Sequence, residues 1–336
     1  MIPGLRLFAV AALLLASVAA HGDATTLRIA VLAPDGTSWA RDAKAWVRDI
    51  ESASDGRLRV HLYFGAIAGD DVEVERRMQK DQLDGALSGG IMCQNAAPSL
   101  RVMRIPGLIA DPDEGNFVLT RLFPTLRAEA RARGFALLAF TWLGRDVVLS
   151  RAPIDDMAAL RRLRLWQWSL EPALIAYLRA MGLNVVPLAI GEAGRAYEDG
   201  RIDGYVAIPA AILGFQWYAR RMYLSRLPLS PVIGCLVMSA ASFDRLPTDL
   251  RDIFVGESAK TALRFSDTTR LQEQQLLDHE LFAKQGITMT PVPALLRAQF
   301  LDAARTARDK LGGRVVPAEI ITTVQSWLAD YRNEHR

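Results

Sequence analysis

Apolar and polar positions change period early in the chain. Thr26-Leu-Arg-Ile-Ala-Val-Leu-Ala-Pro34 and the alternating run Leu58-Arg-Val-His-Leu-Tyr-Phe64 read as strands. Between them Trp39, Ala43, Trp46, Val47 and Ile50 fall on one stripe at helical spacing. This predicts strands over 26–33, 57–64 and 83–88, with helices over 38–54 and 71–80. From Leu160 to Pro209 short apolar strands alternate with helices that start at Ser169 and near Gly191 and stop at Gly182 and Gly200. That is a βαβαβ unit with a parallel sheet, and ligands of such sheets sit beyond the strand carboxyl ends. Those ends carry Trp166, Gln167, Trp168 and Ser169 after the first strand and Ala207 to Pro209 after the third. None stands in a nucleophile, general-base or metal-ligand arrangement, so the pattern points to a binding surface.

Gln82-Leu-Asp-Gly-Ala-Leu87 and Arg201-Ile-Asp-Gly-Tyr-Val206 are one local design used twice, 119 residues apart. The repeat predicts two similar α/β lobes facing each other across a cleft. Phe135 to Phe140 and Pro231 to Ser239 are further strands, and a long, mostly polar helical pattern runs from Leu250 towards Lys284 without an internal proline. Such a helix would span roughly 50 Å. Gly286 ends it; one more strand and two terminal helices follow. The expected division is a signal segment at 1–20, a first lobe of 21–142 plus about 231–256, a second of 143–230 plus about 286–336, and a bridging helix over 257–285.

The N-terminus changes this picture by locating the protein. A single charge, Arg6, precedes an apolar run from Leu7 to Val18 and small residues ending at Ala20, the pattern of a secretory signal peptide, with an uncleaved anchor as the other reading. Net charge is +3 over 336 residues, with arginines and acidic residues interspersed, so a uniform nucleic-acid surface is not indicated. Cys93 and Cys235 are the only cysteines, either a pair in an oxidising compartment or two small apolar fillers. The four histidines form no His-Glu-x-x-His motif, and no Gly-x-Ser-x-Gly, phosphate loop or Cys-x-x-Cys is present. No cofactor or metal is expected; paired carboxylates leave an exported hydrolase as a distant alternative. Arg145 follows Trp142-Leu-Gly144 and precedes an apolar strand, where its planar fork of donors would suit a carboxylate; a structural ion pair is the other reading.

The order of these segments resembles the substrate-binding proteins of TRAP (tripartite ATP-independent periplasmic) transporters, the DctP family. The resemblance is carried by Thr26–Pro34, Gly69-Asp-Asp71, Gln82-Leu-Asp-Gly85, Gly144-Arg145, Ser150-Arg-Ala-Pro-Ile154, Leu160-Arg-Arg-Leu-Arg-Leu-Trp166 and Ile202-Asp-Gly204. It implies an α/β, two-lobed periplasmic-binding-protein fold (type II-like) with a hinge and a long bridging helix. It also implies a monomer that captures a small organic acid for membrane subunits of a transporter driven by an ion gradient. In the family an arginine at the position of Arg145 contacts the ligand carboxylate. A second, clamping arginine falls on Trp166 when the leucines are aligned, and on Arg164 only if the register slips by two residues; Arg162 replaces a family glycine. Trp166 in the clamp position suggests an acid with an apolar or aromatic body. Trp168 and Ser169 belong to the same strand end, Ser169 also serving as a helix cap. By resemblance the cleft wall further includes Trp39, Asp71, Ser88, Gly89, Ile190, Ala207 and Pro209, with Asp71 alternatively a helix cap, and Trp217 closes the back or simply packs. A ligand-sensing module for a membrane kinase is the alternative function.

Overall fold

Each of the two aspartate-glycine repeats organises one sheet. The computed structural model describes residues 24–218, 222–278 and 281–335, so the signal segment lies outside the described residues. The strands are β1 (Thr25–Val31), β2 (Leu58–Phe64), β3 (Gly85–Ser88), β4 (Phe135–Arg145), β5 (Val147–Ser150), β6 (Arg164–Trp168), β7 (Asn184–Leu188), β8 (Gly204–Ala207), β9 (Met222–Ser225), β10 (Pro231–Ser239) and β11 (Ile287–Thr290). They form a first sheet in the order β2-β1-β3-β10-β4 and a second in the order β11-β9-β5-β8-β6-β7.

In both sheets the aspartate clamps an arginine on the neighbouring parallel strand. Asp84 accepts the Arg28 backbone N–H at 2.8 Å and its Nε at 2.9 Å, and returns its own N–H to the Arg28 carbonyl at 2.8 Å. Asp203 does the same with Arg164, at 3.0, 2.8 and 2.7 Å. The glycine that follows lets an antiparallel strand approach on the other side. A Cβ on Gly85 would come within 2.7 Å of the Val237 carbonyl oxygen, and one on Gly204 within 2.3 Å of that of Leu149. One dipeptide thus sets the register of three strands, with β3 between β1 and β10 and β8 between β6 and β5.

The chain crosses between the sheets at Asp146, and β4 runs three residues past the expected boundary at 142 before it does so. It returns through Arg226 to Ser230, and the two crossings touch where the Asp146 N–H donates to the Ser230 carbonyl at 3.1 Å. The helix Thr248–Leu277 packs on both cores. Phe254 meets Trp46 beside the first sheet, ring centroids 5.4 Å apart, while Leu276 joins Phe282, Met222 and Leu224 beside the second. It ends at Asp278, earlier than the sequence pattern suggests, and a separate short helix Leu281–Lys284 follows. The last helix, Ala318–Glu334, is fastened to the helix Pro112–Ala132 of the first half of the chain, because Arg332 holds Glu114 with Nε at 2.6 Å and Nη2 at 2.7 Å. No helix among the described residues is long and apolar enough to cross a membrane.

Cys93 and Cys235 form a disulfide with Cα atoms 5.9 Å apart, joining the helix Ile91–Ala96 to β10 across 142 residues. Closing so long a loop restricts the unfolded chain, and loss of such a link costs about 2 to 5 kcal/mol. The double variant Cys93→Ser, Cys235→Ser is expected to unfold at correspondingly lower urea concentration with the same fold by circular dichroism. An unchanged midpoint would show that the link contributes nothing.

Candidate ligand-binding cleft

Between the sheets lies a cavity of about 160 Å³. One wall comes from the carboxyl ends of β1 and β3, with Leu32, Pro34, Ser88 and Gly89, and from Phe140 and Thr141 of β4. The opposite wall comes from the carboxyl ends of β6 and β8, with Trp166, Gln167, Trp168, Ala207 and Ile208. Trp39, Phe215, Trp217 and Phe265 complete a largely aromatic enclosure. Parallel strands from both lobes therefore point their carboxyl ends at one space, the arrangement in which α/β sheets bind ligands.

The tryptophans are held in place by the second core. Trp166 donates from Nε1 to the Leu188 carbonyl at 3.2 Å and meets Trp217 edge-on at 4.8 Å, and Trp217 stacks on Tyr205 at 4.9 Å. Such contacts fix ring orientation, so the exposed edges form a rigid wall. Trp168 lies so close to the opposite lobe that a Cβ on Gly90 would come within 2.2 Å of its ring.

One end of the cavity is charged. Arg104, from the short helix Pro98–Arg104, is 4% exposed and is the only cationic side chain among the lining residues. Its Nε donates to Glu171 at 3.0 Å, its Nη2 to Asp146 at 2.9 Å and its Nη1 to the Pro231 carbonyl at 2.6 Å. Gln94 donates to the same Glu171 oxygen at 3.0 Å. Burial works against the Arg104 charge, but the two carboxylates outweigh it and hold the guanidinium firmly protonated. Burial pushes the Asp146 carboxyl above the usual range although Arg104 pulls it back.

The family model of the bacterial extracellular solute-binding proteins, family 7 (DctP), matches residues 29–312. The chain belongs to this family. Among characterised relatives, the sialic acid-binding periplasmic protein SiaP of Vibrio cholerae is 22% identical over 84% of this chain and 87% of its own length. Among solved structures, DctP7 of Bordetella pertussis superposes with a TM-score of 0.80 at 18% identity, covering 90% of this chain and all of its own. The sugar acid-binding protein DctPAm of Advenella mimigardefordensis gives a TM-score of 0.84 at 15% identity, over 92% and 99% of the two chains. The two-lobed fold expected from the sequence is thus that of the family.

Within this DctP-family cleft the expected residues divide sharply. Trp39, Ser88, Gly89, Trp166, Trp168, Ile190 and Ala207 line the cavity, as does Trp217. Arg145 does not. Its Nη1 donates to the carbonyls of Ile109 at 2.9 Å and Leu229 at 2.8 Å, Glu273 of the long helix accepts its backbone N–H at 3.0 Å, and burial lowers its pKa. Arg164 is likewise elsewhere, paired to Asp203 at the start of β6. Ser169 is no helix cap, because the next helix begins at Pro172 with Glu171 as its N-cap. Pro209 opens the helix Pro209–Gly214 outside the lining. Asp71 is neither cap nor wall. Asp70 caps its helix, whereas the Asp71 carboxylate turns inward, accepts Ser88 Oγ on both oxygens at 2.8 Å and accepts the Met92 N–H at 2.9 Å. In doing so it shapes the loop that carries Ser88 and Gly89. Arg104 and Glu171 also line the cavity, and the patterns of the sequence do not single them out.

Burial pushes the Asp71 carboxyl up to about 6, against the Met92 and Ser88 hydrogen bonds that pull it down. Its unfolded value is about 3.9, so between pH 4 and 6 the folded chain holds a proton that the unfolded chain has lost. Stability contributed by this group therefore falls as pH rises through that window, by about 3 kcal/mol in all. Asp71→Asn removes the titration. Unfolding free energies of wild type and variant, compared at pH 4 and pH 7, are expected to diverge in the variant's favour at the higher pH by about 2 to 3 kcal/mol. A constant difference across the range would mean that Asp71 titrates normally.

Proposed function

We propose that this protein is an exported receptor that captures a small organic acid with an apolar or aromatic body and hands it to the membrane subunits of a TRAP-type transporter. The observation that carries this reading is the aromatic cavity between two lobes with one arginine at its end. Relatives with the same fold support the ligand class. SiaP is named for sialic acid, DctP7 is described binding pyroglutamic acid, and DctPAm is described in complex with galactonate. Arg104 takes the carboxylate in place of Arg145. Of its five N–H groups three are committed to Glu171, Asp146 and Pro231, leaving two for the ligand.

Capture is coupled to movement of the lobes about the two crossings at Asp146 and Arg226 to Ser230. Aromatic contacts made from both walls at once favour the closed arrangement over the open one. Export follows from the N-terminal segment, and mass spectrometry of periplasmic protein is expected to find a mature N-terminus between about residues 20 and 25. An intact Met1 in a membrane pellet would contradict this.

A thermal-shift screen of organic acids, followed by titration calorimetry, tests the ligand class. With any acid so found, Trp166→Ala is expected to weaken binding by about 1 to 3 kcal/mol through loss of its apolar face. Arg164→Ala is expected to leave affinity unchanged, since its partner is Asp203. Loss of affinity confined to Arg164→Ala would reverse the assignment of these two positions.

A further inference from the structure

The charged end of the cavity contains more negative than positive groups. Arg104 is its one cation, whereas Asp146 and Glu171 both line the cavity and both are buried. Arg145, next to Asp146 in the chain, does not line the cavity, and its Nη1 is taken by the carbonyls of Ile109 and Leu229. Asp71 lies close enough to Glu171 to be raised further by its charge.

The carboxylates also keep unused acceptors. Glu171 receives both Gln94 and Arg104 on Oε2, and Asp146 receives Arg104 on Oδ2. Oε1 of Glu171 and Oδ1 of Asp146 take no hydrogen bond from the described residues. Gln167, 3% exposed and on the same wall, has its Oε1 buried without a partner. Three side chains that line the cavity thus each keep an acceptor without a partner, and a buried charge or acceptor left unmatched is costly. A ligand bringing only a carboxylate would put three negative groups around one guanidinium.

We infer that the acid recognised here carries its own cationic nitrogen, so that the ligand is a zwitterion of the amino-acid type with an apolar or aromatic side chain. This rests on the organic-acid reading of the same cleft. The ligand carboxylate meets the two remaining N–H groups of Arg104, and its ammonium donates to Glu171, Asp146 and Gln167. The aromatic walls enclose the body.

A matched series separates the two readings: phenylalanine, 3-phenylpropanoate, which lacks the ammonium, and 2-phenylethylamine, which lacks the carboxylate. Calorimetric titration of the mature protein is expected to show phenylalanine binding at least about tenfold more tightly than either analogue, as for a buried charge pair that loses a partner. Glu171→Gln, which keeps the side-chain shape, is expected to narrow the preference for phenylalanine over 3-phenylpropanoate. The wild-type series decides the matter even where that variant folds poorly. Equal or tighter binding of 3-phenylpropanoate overturns the ammonium and leaves the organic-acid reading standing. Binding of 2-phenylethylamine alone overturns both. Absence of binding by phenylalanine overturns the zwitterion, while the acid screen above still decides the broader class.

Discussion

The fold turns on one buried arginine. Arg104 belongs to the first half of the chain, yet it binds the crossing residue Asp146, the first carbonyl of the returning strand at Pro231, and Glu171 from the loop after β6. A guanidinium in a water-poor interior survives only when its charge is paired, and removing one partner of such a group typically costs about 3 to 5 kcal/mol. The network therefore fixes both crossings and the start of the helix Pro172–Ala180 relative to the first sheet. Because the same residues line the cavity, the hinge and the polar end of the site are one structure. In the proposed reading, ligand charge acts directly on the groups that set the lobe geometry.

The rest of the cleft is built by repetition. Asp84 and Asp203 each tie an arginine on the adjacent strand, which places β3 and β8 identically within their sheets and aims their carboxyl ends at the same space. Arg164 is thereby explained as the counterpart of Arg28, a sheet-building residue with a half-exposed side chain. Two positions further along β6, Trp166 reaches the cavity. The alternation of a strand puts both side chains on one face, and distance along the strand separates a structural role from a ligand-facing one.

Periodicity made most elements legible. The stripe of Trp46 and Ile50 and the alternation of Leu58 to Phe64 each depend on neighbours a few residues away. Residues whose partners are distant in sequence were not legible. Nothing near Arg145 announces that the carbonyls of Ile109 and Leu229 will occupy it, and the pairing of Cys93 with Cys235 depends on a contact across 142 residues. Arg104 left only a weak signal, as one of two charges, with Arg101, in the otherwise apolar run Leu100 to Ile109, where a charge that turns inward must find buried partners. The long helix stops at Asp278 with no proline or glycine to mark the place.

The division between polar end and aromatic wall has a consequence for how capture is signalled. The Arg104–Glu171 pair spans the lobes using protein groups alone, so it favours their approach whatever occupies the cavity. A receptor must distinguish filled from empty, and only interactions that need the ligand do so. In the proposed reading those interactions include the aromatic faces of Trp39 and Phe140 on one side and Trp166 and Trp168 on the other, which line the same cavity. On that reading the aromatic wall contributes free energy present only in the occupied state, while the buried charges select which ligands are admitted to it.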